Sequence, residues 1–238
     1  MNFDQAEFEV RCEWGEQGVL RLAPISDVII IIDVLSFSTC VEIATRRGAI
    51  VFPYRWKDKS ARAFARSMNA EVAGRRSDRG YSLSPTSLLA IDRGTRLVLP
   101  SPNGSSLNFS TGATPTLTGC LRNHKAVAVA AMQYGQRIGV IPAGEKWHDG
   151  SLRPSFEDWI GAGAVISCLN GSRSPEAQLA IAAYEGIFSA INSLMKQCIS
   201  GQELIQRGFE QDVDLAAEIN VSDCVPMLID GAYINCKS

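Results

Sequence analysis

The chain has 238 residues, 46% of them hydrophobic and 20% charged, and a net charge of −2. That is enough apolar surface for a full α/β core in one domain spanning 1–238, and a near-neutral balance without a basic stripe argues against a nucleic-acid groove. Seven scattered cysteines with no C-x-x-C, and only two histidines, His124 and His148, argue against a disulfide framework, structural zinc and thioredoxin-like redox chemistry.

The opening stretch MNFDQAEFEVRCEWGEQGV is acidic and mixed, and no aliphatic run approaches the length of a bilayer span. A soluble cytoplasmic protein with no membrane partner is expected.

Residues 28–32 (VIIII) are the first aliphatic run, and it ends on Asp33. SFSTCVEIATRRG then reads as a helix opened by Ser36 or Ser38, with arginines in its last turn and Gly48 as the stop. A second run lies at 50–53, a charged-faced helix over 59–69, and a polar, glycine-punctuated loop over 74–84. Ser84-Pro85 offers a cap with proline at the first helical position. Further aliphatic runs follow at 96–99, 127–130 and 137–141. The run at 127–130 fits a strand or the end of a helix beginning near Leu121, because periodicity does not separate the two.

Beyond these the chain reads as helical: over 155–169, over a long segment opened by Ser174, and in short pieces around GQELIQRG and DVDLAAEIN. Apolar strands alternating with amphipathic segments predict an α/β fold, three layers in α/β/α order around a mostly parallel or mixed sheet.

In such sheets ligands bind beyond the carboxyl ends of the strands, so chemistry is sought just after each aliphatic run. After the first run stand Asp33, Ser36, Ser38 and Thr39, the aspartate placed to sit at the mouth beside helix-start amides. After the run at 96–99 comes PSPNGSS, with Ser101, Asn103, Gly104 and Ser105. Asn103-Gly104 there suggests a left-handed turn, and Ser105 or Ser106 a helix cap.

Glu145 follows the run at 137–141, and Glu157 with Asp158 falls in the first turn of a helix. Asp33, Glu145, Glu157 and Asp158 are the candidate ligands of one Mg²⁺, a hard cation that takes carboxylate, water and phosphate oxygens. Arg75, Arg76 and Arg79 in the 74–84 loop, with Arg153, read as an anion clamp. Taken singly, these features have plainer readings as caps, turns and solvated charges. Their coincidence at strand exits points to one site.

DVLSFST, SPNGSS, IPAGE, EDWIGAGAVI and SGQELIQRGFEQDVDLAAEINVSDCVP resemble, in order and spacing, the blocks of the 2-phosphosulfolactate phosphatase family, from about residue 27 to about residue 226. The resemblance implies a Mg²⁺-dependent acid phosphatase acting on phosphate monoesters of 2-hydroxycarboxylic acids, with (R)-2-phospho-3-sulfolactate giving 3-sulfolactate in coenzyme M synthesis. It also implies a compact α/β protein with its site at a sheet edge, and a homodimer is the expected assembly.

Two departures stand out: Ser36 and Phe37 occupy positions where the family pattern has Arg-Ala, and GRRSDRG, with Arg75, replaces a G-E-R-G-G stretch. The expected roles give Asp33 and Glu145 the catalysis. Ser36, Ser38, Thr39, Ser101, Asn103, Gly104 and Ser105 are expected to take the phosphoryl group, and Arg75 and Arg153 the substrate's other acid. The alternative is a degenerate relative that binds an acidic metabolite and hydrolyses nothing. A haloacid-dehalogenase-like phosphatase is excluded, since it needs a second aspartate where Leu35 stands.

Overall fold

The computed structural model describes residues 4–55 and 58–236. In chain order the elements are β1 (Val10–Cys12), α1 (Gly15–Leu22), β2 (Val28–Ile32), α2 (Phe37–Arg46), β3 (Ile50–Tyr54), α3 (Lys59–Ser67), β4 (Glu71–Val72) and α4 (Pro85–Leu88). They continue with β5 (Arg96–Pro100), α5 (Gly104–Leu107), β6 (Thr116–Gly119), α6 (His124–Ala131), β7 (Ile138–Pro142), β8 (Glu145–Lys146) and β9 (Leu152–Arg153). The last are α7 (Phe156–Ser167), α8 (Pro175–Gly186), α9 (Ile191–Gln197), α10 (Ile199–Gln206), α11 (Glu210–Ala216), β10 (Pro226–Ile229) and β11 (Ala232–Asn235).

Nine strands form one mixed sheet in the order β1-β7-β2-β6-β10-β11-β3-β5-β4. The first four are mutually parallel, as are the last three. The antiparallel hairpin β10–β11 joins the two blocks, pairing with β6 on one side and β3 on the other. The α/β fold expected from the alternating pattern is therefore the fold observed.

β2 shows why its five residues are all aliphatic. Ile30 and Ile32 pack in the core shared with α6 and α7, while Ile29 and Ile31 face Val19 and Leu22 of α1 and Leu107 of α5. A strand covered on both faces has no polar side to alternate with. The same holds in the second block, where Leu97 and Leu99 face α2 and Val98 faces the α3 side.

Each strand-to-strand step rotates the sheet by roughly 20–25°, so the five steps from β2 to β5 accumulate on the order of 100°. The sheet wraps around α2, which is buried from Phe37 to Thr45 and touches β3, β6, β10 and β11. A charged residue in such a helix must be paired: Glu42, fully buried, accepts from Arg122 Nε at 2.6 Å. The wrap brings the carboxyl ends of β2 and β5 together. The Gly104 N–H donates to Asp33 Oδ2 at 2.8 Å, and α5 packs against both β2 and β3.

The structure refines the boundaries read from the sequence. Of the two readings left open for residues 127–130, the helical one holds: they lie in α6, which buries His124, Val127, Ala128 and Ala131 at helical spacing. The long helix opened by Ser174 breaks after Gly186 into a 3₁₀ turn and α9. Among the described residues no helix is long and apolar enough to cross a membrane.

Candidate active site

A cavity of about 760 Å³ opens where the strand exits converge. Asp33 and Ser36 enter it from the β2 exit, Ser101 and Asn103 from the β5 exit, and Glu145 from β8 just beyond β7. Arg75 and Arg76 come from the loop after β4, and Ser200, Arg207 and Phe209 from α10 and the turn that follows it.

Asp33 is only 5% exposed, and its side chain is fixed at both oxygens. Phe37 N–H donates to Oδ1 at 3.0 Å, the start of α2, and Gly104 N–H to Oδ2, the start of α5. Burial still wins over these donors and pushes the carboxyl up to about 6. The Leu35–Ser36 peptide between Asp33 and the helix is cis.

Gly104 is the residue that permits this closeness. It does not adopt a left-handed conformation, contrary to the turn expected at Asn103-Gly104; its absence of a side chain serves packing. A Cβ there would stand 2.5 Å from Asp33 Oδ2 and 2.8 Å from Phe37 Cδ1. Asn103 heads α5 without capping it, because its amide Nδ2 donates to Glu145 Oε2 at 2.7 Å. Burial, and next the charge of Asp33, lifts the Glu145 carboxyl to about 7.

The four carboxylates expected as one ligand set divide. Asp158 is a strut: its Oδ1 accepts from Val34 N–H and its Oδ2 from Gly144 N–H, each at 2.8 Å. It ties the β2 exit to the β7 exit, and burial, then Asp33, pushes its carboxyl well up. Glu157 borders a different cavity of about 380 Å³, beside Arg153 and Cys198. Among the described residues no group of three or more His, Cys, Asp or Glu side chains is arranged to hold a metal. Asp33 and Glu145 are the pair that faces the large cavity.

Asp158→Ala leaves two buried N–H groups without acceptors, and a loss of about 2–4 kcal/mol is expected, read by urea denaturation.

The hydroxyls divide in the same way. Ser36 lines the cavity, whereas Ser38 Oγ bonds Thr118 Oγ1 at 2.7 Å, and Thr39 Oγ1 donates to Val34 O at 2.7 Å. Ser105 is also turned inward, its Oγ donating to Tyr54 O at 2.7 Å and accepting from Ser101 N–H at 3.0 Å, rather than capping α5. These three brace the strand exits. Arg153 stacks over Trp147 and reaches Ser200 Oγ at 3.4 Å, away from the wall where Arg75 stands.

What the sequence reading did not assemble is the opposite wall. Arg76 Nη2 donates to Ser36 Oγ at 2.8 Å, so a guanidinium from the 74–84 loop meets the side chain at position 36. Its Nη1 donates to the buried Asp212. Arg207 and Arg76 lie on the ring of Phe209, with centroid distances of 6.0 and 5.6 Å. The signal for this wall lay in the block SGQELIQRGFEQDVDL, which presents Arg, Phe and Asp in a short helical stretch.

The sequence matches the family model of 2-phosphosulpholactate phosphatase over residues 19–231. The chain belongs to this family.

Among its relatives is the 2-phosphosulfolactate phosphatase of Methanothermobacter thermautotrophicus, 30% identical over 139 residues, or 58% of each chain. That match spans less than two thirds of the relative's length. The probable 2-phosphosulfolactate phosphatase of Carboxydothermus hydrogenoformans is 27% identical over 209 residues, covering 83% of this chain and 84% of that one. That of Thermotoga petrophila is 25% identical over 230 residues, covering 90% and 96%. Every cavity residue named above lies inside the 19–231 family segment.

Proposed function

We propose that the protein hydrolyses the phosphate monoester of a small 2-hydroxycarboxylic acid, 2-phosphosulfolactate or a close chemical relative, with one Mg²⁺. The observation that carries this reading is a carboxylate pair, buried Asp33 and half-buried Glu145, lining one cavity with Arg75 and Arg76. Family membership and the names of the relatives support the same chemistry.

The donor set fits a hard cation. Burial raises both carboxyls and the charge of Asp33 raises Glu145 further, which a positive partner would relieve, and Mg²⁺ is held by one or two carboxylates with waters and substrate phosphate making up the rest. When bound, Mg²⁺ supplies charge neutralisation to the transferring phosphoryl group.

The chain's own residues do the rest. Asp33 presents a carboxylate that two helix-start N–H groups keep from swinging, and Asn103 Nδ2 holds Glu145 Oε2. In the metal-free protein burial and the charge of Asp33 lift the Glu145 carboxyl to about 7, and a bound Mg²⁺ would hold it ionised as a ligand. The Ser36 hydroxyl and the Arg75 and Arg76 guanidiniums supply donors for anionic oxygens.

Phosphate release should be followed with Mg²⁺ and with EDTA across phosphosulfolactate, phospholactate and phosphoglycolate. Release from at least one substrate, abolished by EDTA, is expected. A folded protein silent toward all three would sink the reading and favour a binding relative.

A second readout needs no turnover. A carboxyl raised on folding holds a proton that the unfolded chain has already released. Stability of the metal-free protein should therefore fall as pH rises from the ordinary carboxylate range through about 6–7, by roughly 3 kcal/mol for Asp33. Mg²⁺ needs both carboxylates ionised, so it should raise Tm more at pH 8 than at pH 5. An equal shift at both would remove the carboxylate pair as its site.

A further inference from the structure

The α10–α11 wall has no counterpart among the groups needed to split a phosphate ester, and its construction is specific. Asp212 is 1% exposed and sits on α11, yet its side chain accepts hydrogen bonds from the 74–84 loop and the start of α4, far away in the chain. Its Oδ1 accepts from Ser84 Oγ at 2.7 Å, Thr86 N–H at 3.0 Å and Thr86 Oγ1 at 2.6 Å, which fixes the start of α4. Its Oδ2 accepts from Arg76 alone.

Arg76 is held on three sides: by Asp212, by Ser36 Oγ, and by the face of Phe209. Its side chain is 11% exposed, and it still borders the cavity. Arg207 lies on the same ring, half exposed, and borders the cavity too. An arginine loses conformational freedom when it binds an anion, and one already fixed by a carboxylate and an aromatic face has less to lose.

Resting on the phosphatase reading, we propose that Arg76 and Arg207, arrayed on Phe209, are the specificity determinants that receive the substrate's non-transferred acid group, with Asp212 as the residue that positions Arg76. The geometry separates the two ends of the ligand. The phosphoryl end meets Asp33 and Glu145, and the acid end meets the guanidinium wall. The preferred substrates are then phosphomonoesters that carry a second anionic group within the span of the cavity, a carboxylate or a sulfonate. Neutral-tailed esters are poor ligands because they leave this wall without its partner.

The test uses two esters that differ at the tail alone: 2-phosphoglycolate, with a carboxylate, and ethyl phosphate, with a methyl group. Wild-type protein is expected to favour phosphoglycolate in kcat/KM. Arg76→Ala should raise KM for phosphoglycolate about ten- to a hundredfold, the loss of one or two charge-assisted hydrogen bonds, and KM for ethyl phosphate by at least tenfold less. Asp212→Asn keeps an oxygen for Ser84 and Thr86 but turns an amide toward Arg76. It should reproduce the KM effect with kcat largely retained, and Asp212→Glu should restore part of the preference.

Equal losses for both esters in Arg76→Ala would overturn the assignment. An unchanged ester preference in Asp212→Asn would remove Asp212 from it. Calorimetric titration with the same two esters reads the preference without turnover. Binding that favours phosphoglycolate with no phosphate released sustains the acid-group site and defeats the phosphatase reading alone; release without any preference does the reverse.

Discussion

Asp33→Asn is expected to lower phosphate release by about a thousandfold or more, while the chain stays folded with a Tm close to that of the parent. The two effects separate because Asp33 has two roles. As a charge it is costly to bury: its carboxyl is driven up to about 6 by loss of water around it. Asparagine removes that cost and keeps an oxygen for Phe37 N–H, though its amide then opposes Gly104 N–H, a loss of about 1–2 kcal/mol. Removing the buried charge offsets that loss. As a ligand, by contrast, a neutral amide is a poor donor to a hard cation. Steady-state phosphate release and thermal unfolding on one preparation check both halves. Retained activity would take Asp33 out of the chemistry; collapse of the fold would show that the charge itself holds the β2 exit.

Gly104→Ala is expected to damage stability and activity together. One methyl group at this position would stand closer to Asp33 Oδ2 and Phe37 than van der Waals contact allows, and both neighbours are braced. Asp33 is fixed by its two N–H donors, and Phe37 packs edge-on against buried Tyr233. Overpacking of this kind costs about 1–3 kcal/mol. Because the yielding atom is the catalytic carboxylate or the helix that orients it, kcat should fall at least tenfold as well. A stable, fully active Gly104→Ala protein would show that the two strand exits are free to move apart.

Comparing these residues with the sequence shows what a one-dimensional reading can reach. VIIII followed by aspartate was legible as a doubly covered strand with its acid at the mouth, because burial on both faces writes itself as an unbroken aliphatic run. Glu145 and Asn103 were legible for the same positional reason. Asp158, Ser38, Thr39 and Ser105 were picked out by type and place, but their partners, Val34, Thr118 and Tyr54 among them, lie in or just beyond the strands, and nothing local distinguishes a brace from a ligand.

Asp212 went unnoticed since its meaning lies in Ser84, Thr86 and Arg76, all far away in the chain. The closing hairpin had a readable signal. PMLI-DG-AYIN places Asp230 and Gly231 at positive φ of 49° and 79° between two apolar stretches, the pattern of a two-residue hairpin turn. Thr116–Gly119 had none, being four residues, TLTG, with Leu117 as its one large apolar side chain.

That hairpin also sets the order in which the molecule can be assembled. β6 and β3 are made early, yet their inner edges have no partner until residues 226–235 arrive, when Tyr233 comes into register with Val51. Pairings so distant along the chain are slow to form, and an unpaired strand edge invites another chain. A chain made only as far as residue 225 is therefore expected to leave both strand edges open, and shortened chains should aggregate where the finished fold does not. The meeting of the β2 and β5 exits depends on the last insertion, so catalytic competence becomes a clock for completed folding.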